Sequence, residues 1–144
     1  MRHKQQYPLN FEQPDDTALP LARVYTRAYD ILIQVGQHQQ AIRFNKLKTM
    51  LSEELETITT ETVSRVLRNV NSRSWRELGC ILSSLVICKK TTPGLPMFKQ
   101  AKALGAILSV PEHNEQFETV ARDLQHKCYD AIKNKQEPPL PSVF

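Results

Sequence analysis

The sequence predicts an all-α fold of about six helices between two polar tails, and three observations carry that reading. Apolar residues recur at the i, i+3, i+4, i+7 spacing of a helix face in successive stretches. Residues suited to starting helices stand at the heads of those stretches: Pro20, Asn45, Thr59, Ser74, Pro96 and the Ser109–Glu112 pair. The chain of 144 residues, 40% hydrophobic and 24% charged, has the composition of one globular domain with enough length to bury a core. The organisation that follows is a polar tail over 1–19, a helical domain over 20–135 and a proline-rich tail over 136–144.

Residues 1–19 are polar, carry Pro8 and Pro14 and show no helical period, which predicts a flexible tail. Pro20 opens a first helix whose face is Leu21, Val24, Tyr25, Ala28, Leu32 and Val35, with Gly36 as its expected stop. Residues 37–40 are a polar connection, and residues 41–44 read as a brief strand or a lead-in. Asn45 is placed to cap a second helix lined by Leu47, Met50, Leu51 and Leu55, with Lys46 and Lys48 pointing away.

After a tight turn the third helix begins at Thr59. Ile58 before the cap and Val63 at the fourth helical position form a hydrophobic staple, and Val63, Val66, Leu67 and Val70 make the apolar stripe. Thr60, Thr62, Ser64, Arg65, Arg68 and Asn69 face outward with a single acid, Glu61. Ser74 and Glu77 have capping-box spacing and predict a fourth helix through the apolar run 78–88, with Leu78, Ile81, Leu82 and Leu85 as its main stripe. A helix apolar on most sides lies in the core or in a dimer seam. The residues 89–94 are a turn by composition. Pro96 begins a fifth helix, with Met97, Phe98, Ala101, Leu104 and Leu108 inward. The last helix is expected from Ser109–Glu112, with Phe117, Val120, Ala121, Leu124, Cys128 and Ile132 in phase, until Pro138 and Pro139 exclude helix.

The order of helix, tight turn and helix over residues 29–71, and the run T-T-E-T-V-S-R-V-L-R, resemble helix-turn-helix and winged-helix DNA-binding domains. In that motif the second helix of the pair enters the major groove. The resemblance implies that Thr60, Ser64, Arg65, Arg68 and Asn69 contact the groove while Lys46, Lys48, Arg73 and Arg76 hold flanking phosphates. The sequence departs from the winged pattern where a helix, not two strands, is expected next. Within the first tail, Gln6, Leu9 and Phe11 resemble the peptides by which bacterial replication proteins dock on the sliding clamp. The resemblance implies the clamp as a partner, bound through two apolar anchors of an extended segment.

Charge is unevenly spread. The formal net charge is +4, but residues 62–102 alone carry +7, with Glu77 as their single acid. Such concentration suits an anionic partner. The three cysteines, Cys80, Cys88 and Cys128, form no C-x-x-C pair and are expected as free, packed thiols in a reducing cytoplasm. The apolar run 78–88 is too short to span a bilayer, so no membrane role is expected. The four glycines are scattered, no H-E-x-x-H is present, and His126 and Cys128 stand two apart on a helix and diverge, so neither a catalytic site nor a metal or cofactor site is expected.

Two functional readings follow. The first is a DNA-binding regulatory protein of replication or transcription, reading duplex DNA with the helix near residues 59–70, with a homodimer as one way to present two such helices. The second is a helical protein-interaction module, a small subunit, adaptor or inhibitor, that uses the basic face and the apolar tail peptides without reading sequence.

Overall fold

The computed structural model describes residues 18–89 and 92–135. They form five α-helices and one pair of short strands: α1 (Ala18–Gln37), β1 (Ile42–Arg43), α2 (Phe44–Leu51), α3 (Thr60–Leu78), β2 (Val86–Ile87), α4 (Leu95–Leu104) and α5 (Asn114–Lys135). The mainly helical class agrees with the expectation, but with five α-helices among the described residues in place of about six. A helix-turn-helix core is not shown. Eight residues, 52–59, separate α2 from α3, whereas the motif uses a turn of roughly three or four. Gln6, Leu9 and Phe11, and the proline-rich end, lie outside the described residues.

Helix α1 starts two residues before Pro20. Of its expected face Val24, Ala28, Leu32 and Val35 are buried while Leu21 and Tyr25 are half-buried; Tyr29 and Ile31 are buried as well. Gly36 does not stop this helix. It lies inside α1, at a point where a Cβ would run into the Ile132 side chain of α5 and touch Leu85. The chain turns three residues later, where Gln39 takes φ 52° and the Gln40 N–H donates to the Val35 carbonyl at 3.0 Å. Helix α2 starts one residue before Asn45, which caps nothing; its carbonyl accepts from Thr49 Oγ1 at 2.9 Å. Leu47 and Leu51 are buried, and Leu55 packs on the core from beyond the helix end.

Helix α3 begins as its local chemistry dictates. Thr59 is the N-cap, and its hydroxyl accepts from the Thr62 N–H at 3.1 Å. Ile58 and Val63 are both buried, which completes the staple. Burial of Val63, Val66, Leu67 and Val70 stabilises the helix by roughly 1.5–3 kcal/mol each relative to exposure.

The fourth helix expected from Ser74 does not exist. Ser74–Leu78 is the last turn of α3, and Gly79 ends it in the left-handed conformation at φ 71°. The Ser74 hydroxyl points into the core, donating to the Cys80 carbonyl at 2.7 Å and accepting from the Leu82 N–H at 3.2 Å. The apolar run then forms a short 3-10 turn, Leu82–Leu85, followed by β2. β2 pairs in parallel with β1, Ile42 opposite Val86 and Arg43 opposite Ile87. The run is apolar on every side because α1, α3 and α5 all pack around the 3-10 turn. Periodicity alone does not separate that environment from a buried helix.

Helix α4 carries Pro96 in its first turn, buries Met97, Phe98 and Ala101, and ends at a left-handed Gly105. Leu108, expected on its inner side, lies beyond that stop and is 98% exposed. Helix α5 starts at Asn114, later than expected. The Gln116 side chain accepts from the N–H groups of Glu112 and His113 at 3.0 and 3.3 Å, supplying from inside the helix the bond that a capping box makes back to its cap.

Two core clusters result. The larger joins α1, α2, α3, the 3-10 turn and the C-terminal half of α5; the smaller joins Ile81, α4 and the N-terminal half of α5, where Phe98 and Phe117 meet edge to face at 4.9 Å. No helix among the described residues is long and apolar enough to cross a membrane.

Candidate nucleic-acid interface

A helix that buries Val63, Val66, Leu67, Val70, Asn71 and Ser74 turns its opposite side outward, and Arg65, Arg68, Ser72 and Arg76 follow one another there at i, i+3, i+7 and i+11. All four are exposed. The three arginines therefore share one face, spread over roughly 16 Å of helix rise. Among the described residues none of the three is paired with a carboxylate; the ion pairs are Arg27–Glu53 and Arg73–Glu77. A row of guanidinium groups without acidic partners is suited to phosphate oxygens.

Arg73 does not belong to this row. It turns toward α1, where its guanidinium stacks 3.9 Å from the centre of the Tyr29 ring and its Nε donates to Glu77 Oε1 at 3.1 Å. Burial opposes its charge, but hydrogen bonds to Tyr25 and Glu77 outweigh this and its pKa is raised. The residue expected to hold phosphate thus fastens α3 to α1. Asn69 is half-buried beside the arginine row.

Thr60 and Ser64 lie on the other edge of α3, facing α2 and the strand pair. Lys48 reaches over from α2, and its ammonium donates to Thr60 Oγ1 at 3.3 Å. Lys46 is exposed on α2. Ser64 lines a basin of about 410 Å³, together with Arg43, Phe44, Asn45, Thr60, Ile87 and Cys88. A narrower cleft of about 80 Å³ continues from it between α3 and α4, sharing Phe44, Ser64 and Cys88 and reaching Arg68 and Gln100. Among the described residues no acid lines either part.

One wall of the cleft is held by a polar network. Asn71 is buried at 1% exposure, and its amide donates to Ser83 Oγ at 2.7 Å and to Gln100 Oε1 at 2.8 Å. Its oxygen accepts from the Ser83 N–H at 2.9 Å. Gln100 Nε2 in turn donates to the Arg68 carbonyl at 2.9 Å. The network ties α3, α4 and the 3-10 turn together and fixes the backbone of the residue that carries the Arg68 side chain.

Four residues of this region were not foreseen as site residues: Arg43, Phe44, Cys88 and Gln100. Arg43 and Cys88 come together only because β1 and β2 pair in parallel. The free thiols are also unlike one another. Cys80 and Cys128 are buried, and Cys88, expected as a packed thiol, is exposed. A hydrogen bond with Cys80 and then burial hold the Cys128 thiol well above its ordinary pKa, so it is kept as a neutral packed group. Among the described residues no three His, Cys, Asp or Glu side chains are grouped to hold a metal ion.

Comparison of the chain with protein-family models, with curated proteins and with solved structures gives no match.

Proposed function

We propose that this protein binds duplex DNA through the outer face of α3, as a regulatory protein of replication or transcription. The observation that carries the proposal is the row Arg65, Arg68 and Arg76, exposed on one helix face and without carboxylate partners among the described residues. The arginines bind backbone phosphates. Asn69 beside them is suited to base edges, whereas Thr60 and Ser64 face the basin beside α2. Lys46 and Lys48 extend the interface along α2. The proposal rests on a single charged helix face and requires no helix-turn-helix core.

The test is binding of a labelled random duplex, followed by fluorescence anisotropy over a range of salt concentrations. Replacing Arg65, Arg68 and Arg76 together by Ala should weaken binding at low salt and reduce the log–log salt slope by about 3, close to one for each phosphate that is no longer neutralised. Absence of binding by the unaltered protein at low salt would overturn the proposal. An unchanged slope in the triple variant would move the interface to another surface.

A further inference from the structure

We infer that the groove beside the arginine row receives an unpaired strand of nucleic acid, so that the protein engages DNA where duplex and single strand meet. This rests on the nucleic-acid reading above and adds to it a second ligand form at an adjoining surface. Three observations carry it.

The first is charge. Arg43 stands at the open basin and Arg68 at the inner cleft, and no acid lines the space between them among the described residues. A backbone running along the groove meets a cation at each end. The second is the mixture of surfaces. Phe44 lines both parts of the groove, as an aromatic side chain on which a base can stack without regard to its identity. Hydrogen-bonding capacity lies close by. No partner satisfies the Ser64 hydroxyl among the described residues, and the Gln100 amide uses one of its two N–H groups on the Arg68 carbonyl. A flat ring with polar edges matches both the Phe44 side chain and the polar groups of such a lining, whereas a carboxylate side chain matches only the cations. The third is size. A basin of about 410 Å³ is within the range of small-ligand sites, and the bases of a duplex are stacked out of its reach.

Cys88 offers a direct readout in the unaltered protein. It lines both parts of the groove and is the exposed one of the three cysteines, so it is the thiol that iodoacetamide should modify first. Saturating oligothymidylate should slow Cys88 alkylation by about tenfold, and a blunt duplex of equal length by less than about threefold. In parallel, Arg43→Ala combined with Phe44→Leu, checked for native helicity and thermal unfolding, should lose about tenfold in affinity for oligothymidylate and stay within about twofold for duplex. Duplex binding with Cys88 alkylated at an unchanged rate in the presence of the strand would overturn the inference and leave the duplex reading standing. Protection of Cys88 by polyglutamate as strong as by oligothymidylate would also overturn it, since the groove would then be a general anion site. Failure of both duplex and strand to bind at low salt would remove the nucleic-acid reading and this inference with it.

Discussion

Asn71 is a polar side chain in an apolar setting, tolerated because each of its amide groups has a partner. Its replacement by Ala would leave the Ser83 N–H and the Gln100 carbonyl oxygen without these partners in the wall of the cleft. The cost of an unsatisfied buried group is about 1–3 kcal/mol, so Asn71→Ala should lower stability by about 2–4 kcal/mol, read from the urea midpoint at unchanged m-value. Ser83→Ala removes a hydroxyl that accepts one bond, and should cost less than half as much. Tyr29 gives a second residue-scale expectation. Burial raises the pKa of its hydroxyl from 10.0 to about 12, against the pull of Arg73 and with the push of Glu77. The folded state therefore holds a proton that the unfolded chain releases near pH 10. The resulting stabilisation is complete below pH 10 and is lost as pH rises through 12, to an extent on the order of 1–2 kcal/mol. Tyr29→Phe has no such proton, and its urea midpoint should fall less steeply than that of the unaltered protein over the same window.

At the scale of the helix, the start and the end of α3 differ in how far they can be read from sequence. The start is local chemistry: a threonine cap, a staple pair and four apolar residues in phase, all within a dozen positions. The end is masked by an accident of spacing, because Ser74 and Glu77 imitate a capping box although both belong to the helix already begun. The deciding facts are tertiary. Ser74 bonds to the backbone of residues 80 and 82, and Glu77 pairs with Arg73. Gly79 was the sequence signal that could have marked the stop. Nothing lies within 4 Å of the space a Cβ would take there, so Gly79→Ala should cost only the left-handed backbone, about 1 kcal/mol. Gly36 is the opposite case. Its helical backbone accepts alanine, but the added methyl meets Ile132. Gly36→Ala should lower the thermal midpoint, and Gly36→Ala with Ile132→Val should recover part of the loss, a coupling that a double-mutant cycle measures. Arg65 and Arg68 were legible for the same reason as the start of α3, since residues on one helix share a period. Arg76 joins their row only because α3 runs on to Leu78 where a new helix was expected. The groove was not, because Phe44 and Cys88 lie 44 positions apart and meet only through a strand pair of two residues each.

At the scale of the whole molecule, the charge is sorted onto different elements. The arginines of α3 stand without acids between them, whereas the exposed cations of α5, Arg122, Lys127, Lys133 and Lys135, share their helix with Glu115, Glu118, Asp123 and Asp130. A protein of net charge +4 adheres weakly to any polyanion at low salt, so affinity alone does not establish an interface. Position does. If adhesion follows net charge, replacing three cations on either helix lowers affinity alike. If α3 is the interface, the two sets part. Arg122→Ala, Lys127→Ala and Lys133→Ala together should leave duplex affinity within about twofold, because local acids already cancel the field of those groups within a Debye length of about 8–10 Å. The matched triple replacement on α3 removes the same formal charge and should cost well over tenfold at the same salt. Equal losses in the two variants would mean that the chain responds to polyanions as a diffuse positive body, and would sink both the duplex face and the strand groove beside it.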